Sequence, residues 1–192
     1  MPDIDHAPMH LTAEQIDARL DWIEASPADS GTLEGICIRP EPNEREELES
    51  CLLSPELGVE GDFWVRNCWK KLEDGSSDPA VQLALMNCRA VDVVAGSRDR
   101  WKWAGDQLFV DFDLGEDNLS PGDRLHIGSA VVELSDIPHT GCDLFKARYG
   151  MAAVKFINSR TGKEKRLRGV LAQIVQAGTV SVGDTVRKAD SA

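Results

Sequence analysis

Three times in this chain a Gly-Asp pair stands immediately ahead of alternating apolar residues: Gly105-Asp106-Gln107-Leu108-Phe109-Val110, Gly122-Asp123-Arg124-Leu125-His126-Ile127 and Gly183-Asp184-Thr185-Val186. Glycine supplies the turn geometry, aspartate caps it, and a strand starts at once. Several short strands separated by such turns predict a barrel or a sandwich. Other segments agree. Thr32 to Arg39 reads as a strand stopped by Pro40 and Pro42, Val81 to Met86 as an apolar strand, and Arg124 to Leu134 as one or two strands. Gly169 to Val175 and Gly178 to Val186 close the chain as β-structure. Arg45 to Leu53 suits a strand or a short helix, and so does Cys88 to Ala95. Gly58 to Asp62 is a turn, and Lys70 to Pro79 a polar, mobile loop.

Helical signals are few. Thr12 is placed to N-cap a helix, with Gln15 as its capping-box partner. Ile16, Leu20 and Ile23 follow at helical spacing, up to Ser26-Pro27, where proline forces the preceding residue out of helical geometry. Phe145 to Phe156 reads as a helix broken by Gly150. These assignments divide the chain into an N-terminal helical arm, 1–30, and a β-barrel domain, 31–192. The fold class is mainly β (α+β), with a few peripheral helices.

Charge narrows the partners. Residues 1–60 carry 15 acidic and 3 basic side chains, whereas 61–192 carry 18 of each, so the whole net charge of −12 resides in the first third. An acidic chain argues against sequence-independent nucleic-acid binding. The stretch Lys146 to Arg168 is nonetheless locally +7, with eight bases against Glu164; it suits either a solvated basic face or a pocket for one small anion. No apolar run approaches the roughly 20 residues that span a bilayer. The start of the chain does not resemble a signal peptide, so a cytoplasmic location is expected. Five widely spaced cysteines, with no Cys-x-x-Cys pair, predict neither a disulfide framework nor a structural zinc site.

Among them Cys142 stands apart. It ends Pro138-His139-Thr140-Gly141-Cys142, just past a strand, where scaffolds display reactive groups, and basic residues follow it. Cations beside a thiol favour its reactive thiolate form. A lone cysteine is also commonly a small buried hydrophobe, which is the expectation for Cys37, Cys51, Cys68 and Cys88. Trp64, Trp69, Trp101 and Trp103 suit either the lining of a pocket for a flat heterocycle or the core, with Trp101 and Trp103 sharing a strand face. Asn87, Arg89 and Asn118 suit the same pocket or turn caps.

The strand Leu33 to Arg39, the turn Gly58-Val59-Glu60-Gly61-Asp62, Gly105-Asp106-Gln107-Leu108, Pro121 to Gly128 leading toward Cys142, and the final Val182 to Val186 together resemble the MOSC domain. This is the β-rich domain at the C-terminus of molybdenum cofactor sulfurases, found also in amidoxime-reducing proteins and in small stand-alone bacterial proteins. The resemblance covers about residues 32–188. It implies a distorted MOSC-type β-barrel and a pocket for molybdenum cofactor, a pterin carrying a phosphate and a dithiolene, with Cys142 as thiolate ligand to the metal. A soft thiolate suits such a metal. The phosphate needs cationic and backbone donors; Lys146, Arg148 and Arg168 are the nearest, and Asp106, Gln107 and Thr140 complete the implied cofactor-binding set. His139 is placed either as a proton donor near the metal or as a loop residue bonded to backbone.

The site loop departs from the hydroxylaminopurine-detoxifying branch, which has Pro-Arg-x-Pro-Cys: His139 replaces its arginine and Gly141 its second proline. Asp106-Gln107 stands for its Glu-Asn, and Phe63-Trp64 for the histidine and glycines of many relatives. The resemblance implies a reductase of N-hydroxylated small molecules fed by a separate electron-donor protein, since no flavin or iron–sulfur motif is visible; pyridoxal phosphate is not expected. Two other readings stay open: a sulfur carrier holding a persulfide on Cys142 and served by a sulfur-donor protein, and a non-catalytic module that binds a pterin or anion.

Overall fold

The computed structural model describes residues 10–189. Eleven strands form there: β1 (Ser30–Ile38), β2 (Glu46–Leu48), β3 (Ser50–Ser54), β4 (Gly58–Val59), β5 (Leu83–Asn87), β6 (Leu108–Asp111), β7 (Arg124–Ile127), β8 (Ala130–Leu134), β9 (Val170–Gln176), β10 (Gly178–Ser181) and β11 (Thr185–Lys188). Seven of them close a barrel in the order β11-β7-β8-β9-β5-β6-β1, with β1 pairing back to β11 and β2 added on β1; β10-β3-β4 make a separate small sheet. All pairings are antiparallel except β5 with β6, which are joined through helix α4 (Cys88–Ala95). The barrel is therefore mixed, and the single parallel step needs the helical crossover.

Strand alternation splits the apolar side chains between two cores. Leu83 and Leu85 of β5 and Leu108 and Val110 of β6 point into the barrel with Leu33, Phe112 and Leu125. Met86 and Phe109 point outward into a second core. That outer core is roofed by α1 (Ala13–Asp17), α2 (Leu20–Glu24), α4 and α5 (Asp143–Ile157). Ile16 is fully buried there among Val91, Phe145 and Tyr149, so the N-terminal segment seals the outer core of the barrel. Ile16→Ala is expected to destabilise the protein by about 2–5 kcal/mol, read as a lowered urea midpoint at unchanged slope.

Local signals hold up in detail. Thr12 and Gln15 form the reciprocal capping box of α1. Asn87 caps α4 by accepting from the backbone of Arg89 and Ala90. Gly150 interrupts α5 with φ 86°, and a side chain there would meet the ring of His10. Arg45 to Leu53 resolves into strands, and Cys88 to Ala95 into a helix. Residues 70–79 are tied together by a Lys71–Ser77 bridge and a Lys70–Asp78 ion pair. One expectation is corrected: Trp101 and Trp103 share no strand face, because Arg98–Ala104 is a 3-10 helix. The short helices α3 (Trp64–Asn67) and α6 (Arg160–Glu164) had no sequence signal. No helix among the described residues is long and apolar enough to cross a membrane.

Candidate functional site

The site lies where three connections meet outside the barrel wall: the Gly105-Asp106 turn into β6, the turn before β9, and the loop from β8 to α5. Gly105 has φ 94°, a conformation other residues rarely adopt, and it turns the chain so that Asp106 is completely buried. Arg168, itself buried, bonds both carboxylate oxygens of Asp106 through Nη1, at 2.8 and 2.6 Å, and donates through Nη2 to the Ala104 carbonyl at 3.0 Å. The ring of Phe145 lies 5.0 Å from the guanidinium. Burial pushes the Asp106 carboxyl upward, and the Arg168 charge opposes it.

His139 stands over this pair, with Nδ1 3.6 Å from Asp106 Oδ1. Neither that Nδ1 nor Arg168 Nε has a hydrogen-bond partner among the described residues. Burial, then the charges of Arg168 and Arg39, lower the His139 pKa well below the ordinary imidazole value. The ring is neutral at pH 7, so it accepts a proton or donates a neutral N–H; an imidazolium donor does not fit this surrounding. The unfolded chain takes up a proton below about pH 6.5 that folded His139 refuses. Stability is thus present above that pH and lost as pH falls toward the depressed folded value. The unfolding free energy, measured from pH 7.5 down to 5, should fall more steeply for wild type than for His139→Gln, by at most about 1.4 kcal/mol per pH unit.

A second set of cations gathers near the Gly105-Asp106 turn. Arg39, at the end of β1, is bidentate to Asp62, at 2.9 Å through both Nε and Nη2, and Asp62 is further held by the backbone of Arg39 and Trp64. The guanidinium ends of Arg148 and Arg45 lie over Gly105, 3.9 and 4.0 Å from where a Cβ would sit. Arg148 donates to the Trp103 carbonyl at 2.7 Å. Arg45 has a buried Nε without a partner. Burial, with Arg148 and Arg39 as like charges beside it, pushes its pKa down to about 10. Four guanidiniums, with Asp62 and Asp106 as their carboxylate partners, leave an excess of positive charge in a chain of net charge −12. An anion with several acceptor oxygens satisfies such a cluster.

Cys142 is exposed at the N-cap of α5, next to this cluster in sequence and electrostatically linked to Arg148. Cys37, Cys51, Cys68 and Cys88 are all buried. Burial raises the thiols of Cys37, Cys51 and Cys88 to about 11, 12 and 12, which leaves them protonated and inert. A cleft of about 460 Å³ runs along the β8–α5 loop, past Ile137, Pro138, His139, Thr140, Asn158 and Arg168.

Of the residues singled out by sequence, Asp106, His139 and Arg168 converge, Thr140 lies on the cleft, and Arg148 joins the second cluster. Lys146 is on the exposed face of α5. The Gln107 side chain is taken up by the backbone, accepting from Ala84 N at 2.9 Å, where it ties β6 to β5. The tryptophans do not gather: Trp64 and Trp101 are buried in different clusters, Trp103 lies under Arg148, and Trp69 is exposed. Asn118 ties its loop to the carbonyls of Ala28 and Asp113, and Arg89 pairs with Asp111. Sequence reasoning missed Arg39, Arg45 and Asp62. The one available signal was Arg45 as a lone base among Glu41, Glu44, Glu46, Glu47 and Glu49.

The family model of the MOSC domain matches residues 78–187. Among solved structures, the fold is similar to the YuaD protein from Bacillus subtilis, with TM-score 0.59 and 16% identity over 82% of this chain and 94% of that one. It is similar also to YiiM from Escherichia coli, with TM-score 0.53 and 17% identity over 84% and 71% of the two chains. YiiM from Geobacillus stearothermophilus gives 0.51 and 12% over 85% and 74%. At these identities the likeness is one of fold. No curated protein matches the sequence.

Proposed function

We propose that this chain, which belongs to the MOSC domain family, holds molybdenum cofactor through Cys142 and reduces N-hydroxylated compounds with electrons from a separate protein. The observation that carries this reading is Arg45. A half-buried guanidinium crowded by Arg148 and Arg39, with its Nη2 end over the open Gly105 turn and a buried Nε without a partner, suits an oxyanion, and the cofactor's phosphate is one. Cys142 supplies an accessible sulfur on the adjoining loop, a ligand type of the right softness for molybdenum. When bound, the cofactor supplies two-electron chemistry at the metal.

The chain's own groups would do the rest. Arg45, Arg148 and Arg39 hold the phosphate. Asp106 faces Nδ1 of His139, which leaves Nε2 of the neutral ring to hydrogen-bond and orient a molecule in the cleft. The buried Asp106–Arg168 pair fixes the walls between which both loops sit. A cytoplasmic setting, where thiols stay reduced, suits this chemistry.

A sulfur carrier is the second reading, favoured by the exposure of Cys142 alone among the described cysteines; there the thiol would hold a persulfide. The test is viologen-linked reduction of phenylhydroxylamine by wild type and Cys142→Ser. Turnover by wild type, falling at least a hundredfold in the variant, is the expected outcome. An unchanged rate in the variant, or cyanide-labile sulfur on Cys142 without molybdenum, would replace the reductase with the carrier.

A further inference from the structure

The cleft beside His139 shows a selective arrangement of charge. The chain from 160 to 168 carries five bases: Arg160, Lys163, Lys165, Arg166 and Arg168. Three are neutralised by carboxylates, in the pairs Arg160–Glu164, Lys165–Asp117 and Arg168–Asp106. Lys163 and Arg166 have no carboxylate partner among the described residues, and both line the cleft. Arg166 sits just past the end of α6 with φ 46°, a left-handed position that glycine normally takes. Its Nη1 bonds the carbonyls of Leu114 and Leu119, at 3.2 and 2.8 Å, which anchors the guanidinium without cancelling its charge.

Apolar side chains supply part of the remaining wall: Pro121, Ile137 and Pro138 on the loops, with Ile157, Val170 and Leu171 from α5 and β9. A volume of about 460 Å³ lies within the roughly 300–1,000 Å³ of small-molecule sites. Glu116 and Asp136 also line it, so a second negative charge on a ligand is repelled where the first is welcome.

We propose that this cleft is the substrate site and that it selects a monocarboxylate with an apolar body, its acid group on Lys163 and Arg166 and its reacting end toward His139 and Thr140. The substrate role rests on the cofactor reading above. The acid-binding role does not, because it is measurable without turnover.

The test is calorimetric titration of the full chain with 2-naphthoate, 2-naphthamide and 2-naphthyl phosphate. Naphthoate should bind at least tenfold more tightly than the amide and no more weakly than the phosphate. Lys163→Glu should erase that preference while molybdenum content and melting temperature stay at wild-type values, and Asp136→Asn should tighten naphthoate severalfold. Equal affinity for acid and amide, tighter binding of the phosphate, or an acid preference intact in Lys163→Glu would overturn the assignment. Normal naphthoate binding by protein that takes up no molybdenum would uphold the acid site and count against the cofactor reading alone.

Discussion

Asp106→Asn should cost the fold about 3–5 kcal/mol, seen as a large drop in the urea midpoint. Asparagine keeps the shape of the side chain but removes its charge. Arg168 is buried, and Nη1 spends its contacts on the two Asp106 oxygens. Without the carboxylate, a guanidinium is left uncompensated away from water, which is among the costliest single changes to a core. The same physics makes the pair replaceable as a unit. Asp106→Leu combined with Arg168→Met should be far milder than Asp106→Asn alone, because neither charge then has to be buried. A double variant as damaged as the single one would show that the loss comes from the Gly105-Asp106 turn.

Arg45→Gln should have the opposite effect on folding and a large effect on binding. Burial and two neighbouring guanidiniums already disfavour the Arg45 charge, so removing it relieves repulsion and leaves stability unchanged or raised. A charge-assisted hydrogen bond to a phosphate contributes about 1.5–3 kcal/mol, so cofactor retention should weaken ten- to a hundredfold. The divergence of the two readouts is the diagnostic result. Lost stability together with lost molybdenum would make Arg45 a structural residue. Molybdenum retained in full would remove it from the site.

The three Gly-Asp turns show what sequence can and cannot distinguish. In all three the glycine is left-handed, with φ of 94°, 88° and 94° at Gly105, Gly122 and Gly183, and a strand follows. Asp123 and Asp184 behave as the local rule requires, accepting from the backbone of Ser120 and Ser181. Asp106 has the same local surroundings, yet its carboxylate is committed to Arg168, 62 positions away. Turn chemistry is a short-range property and was legible. The partner that converts one of three equivalent aspartates into part of a site is brought by barrel closure and was not.

Arg45 was obscured for a related reason. Flanked by glutamates, it reads as part of a solvated acidic face, and only the fold sets it against Arg148 and Gly105 from distant parts of the chain. The loop from Pro138 to Cys142, between β8 and α5, was legible because it is continuous in sequence. Trp101 and Trp103 misled because an alternation of two residues fits a strand as well as a 3-10 turn.

The most direct measurement is the molybdenum content, by mass spectrometry, of wild type, Cys142→Ser and Arg45→Gln purified from a cofactor-producing host. The expected result is near-stoichiometric metal in wild type, its loss in Cys142→Ser, and at least a tenfold reduction in Arg45→Gln with folding intact. Wild-type protein free of molybdenum from a host that loads other such proteins, or metal retained equally in all three, would contradict a cofactor site built from this thiol and this arginine cluster.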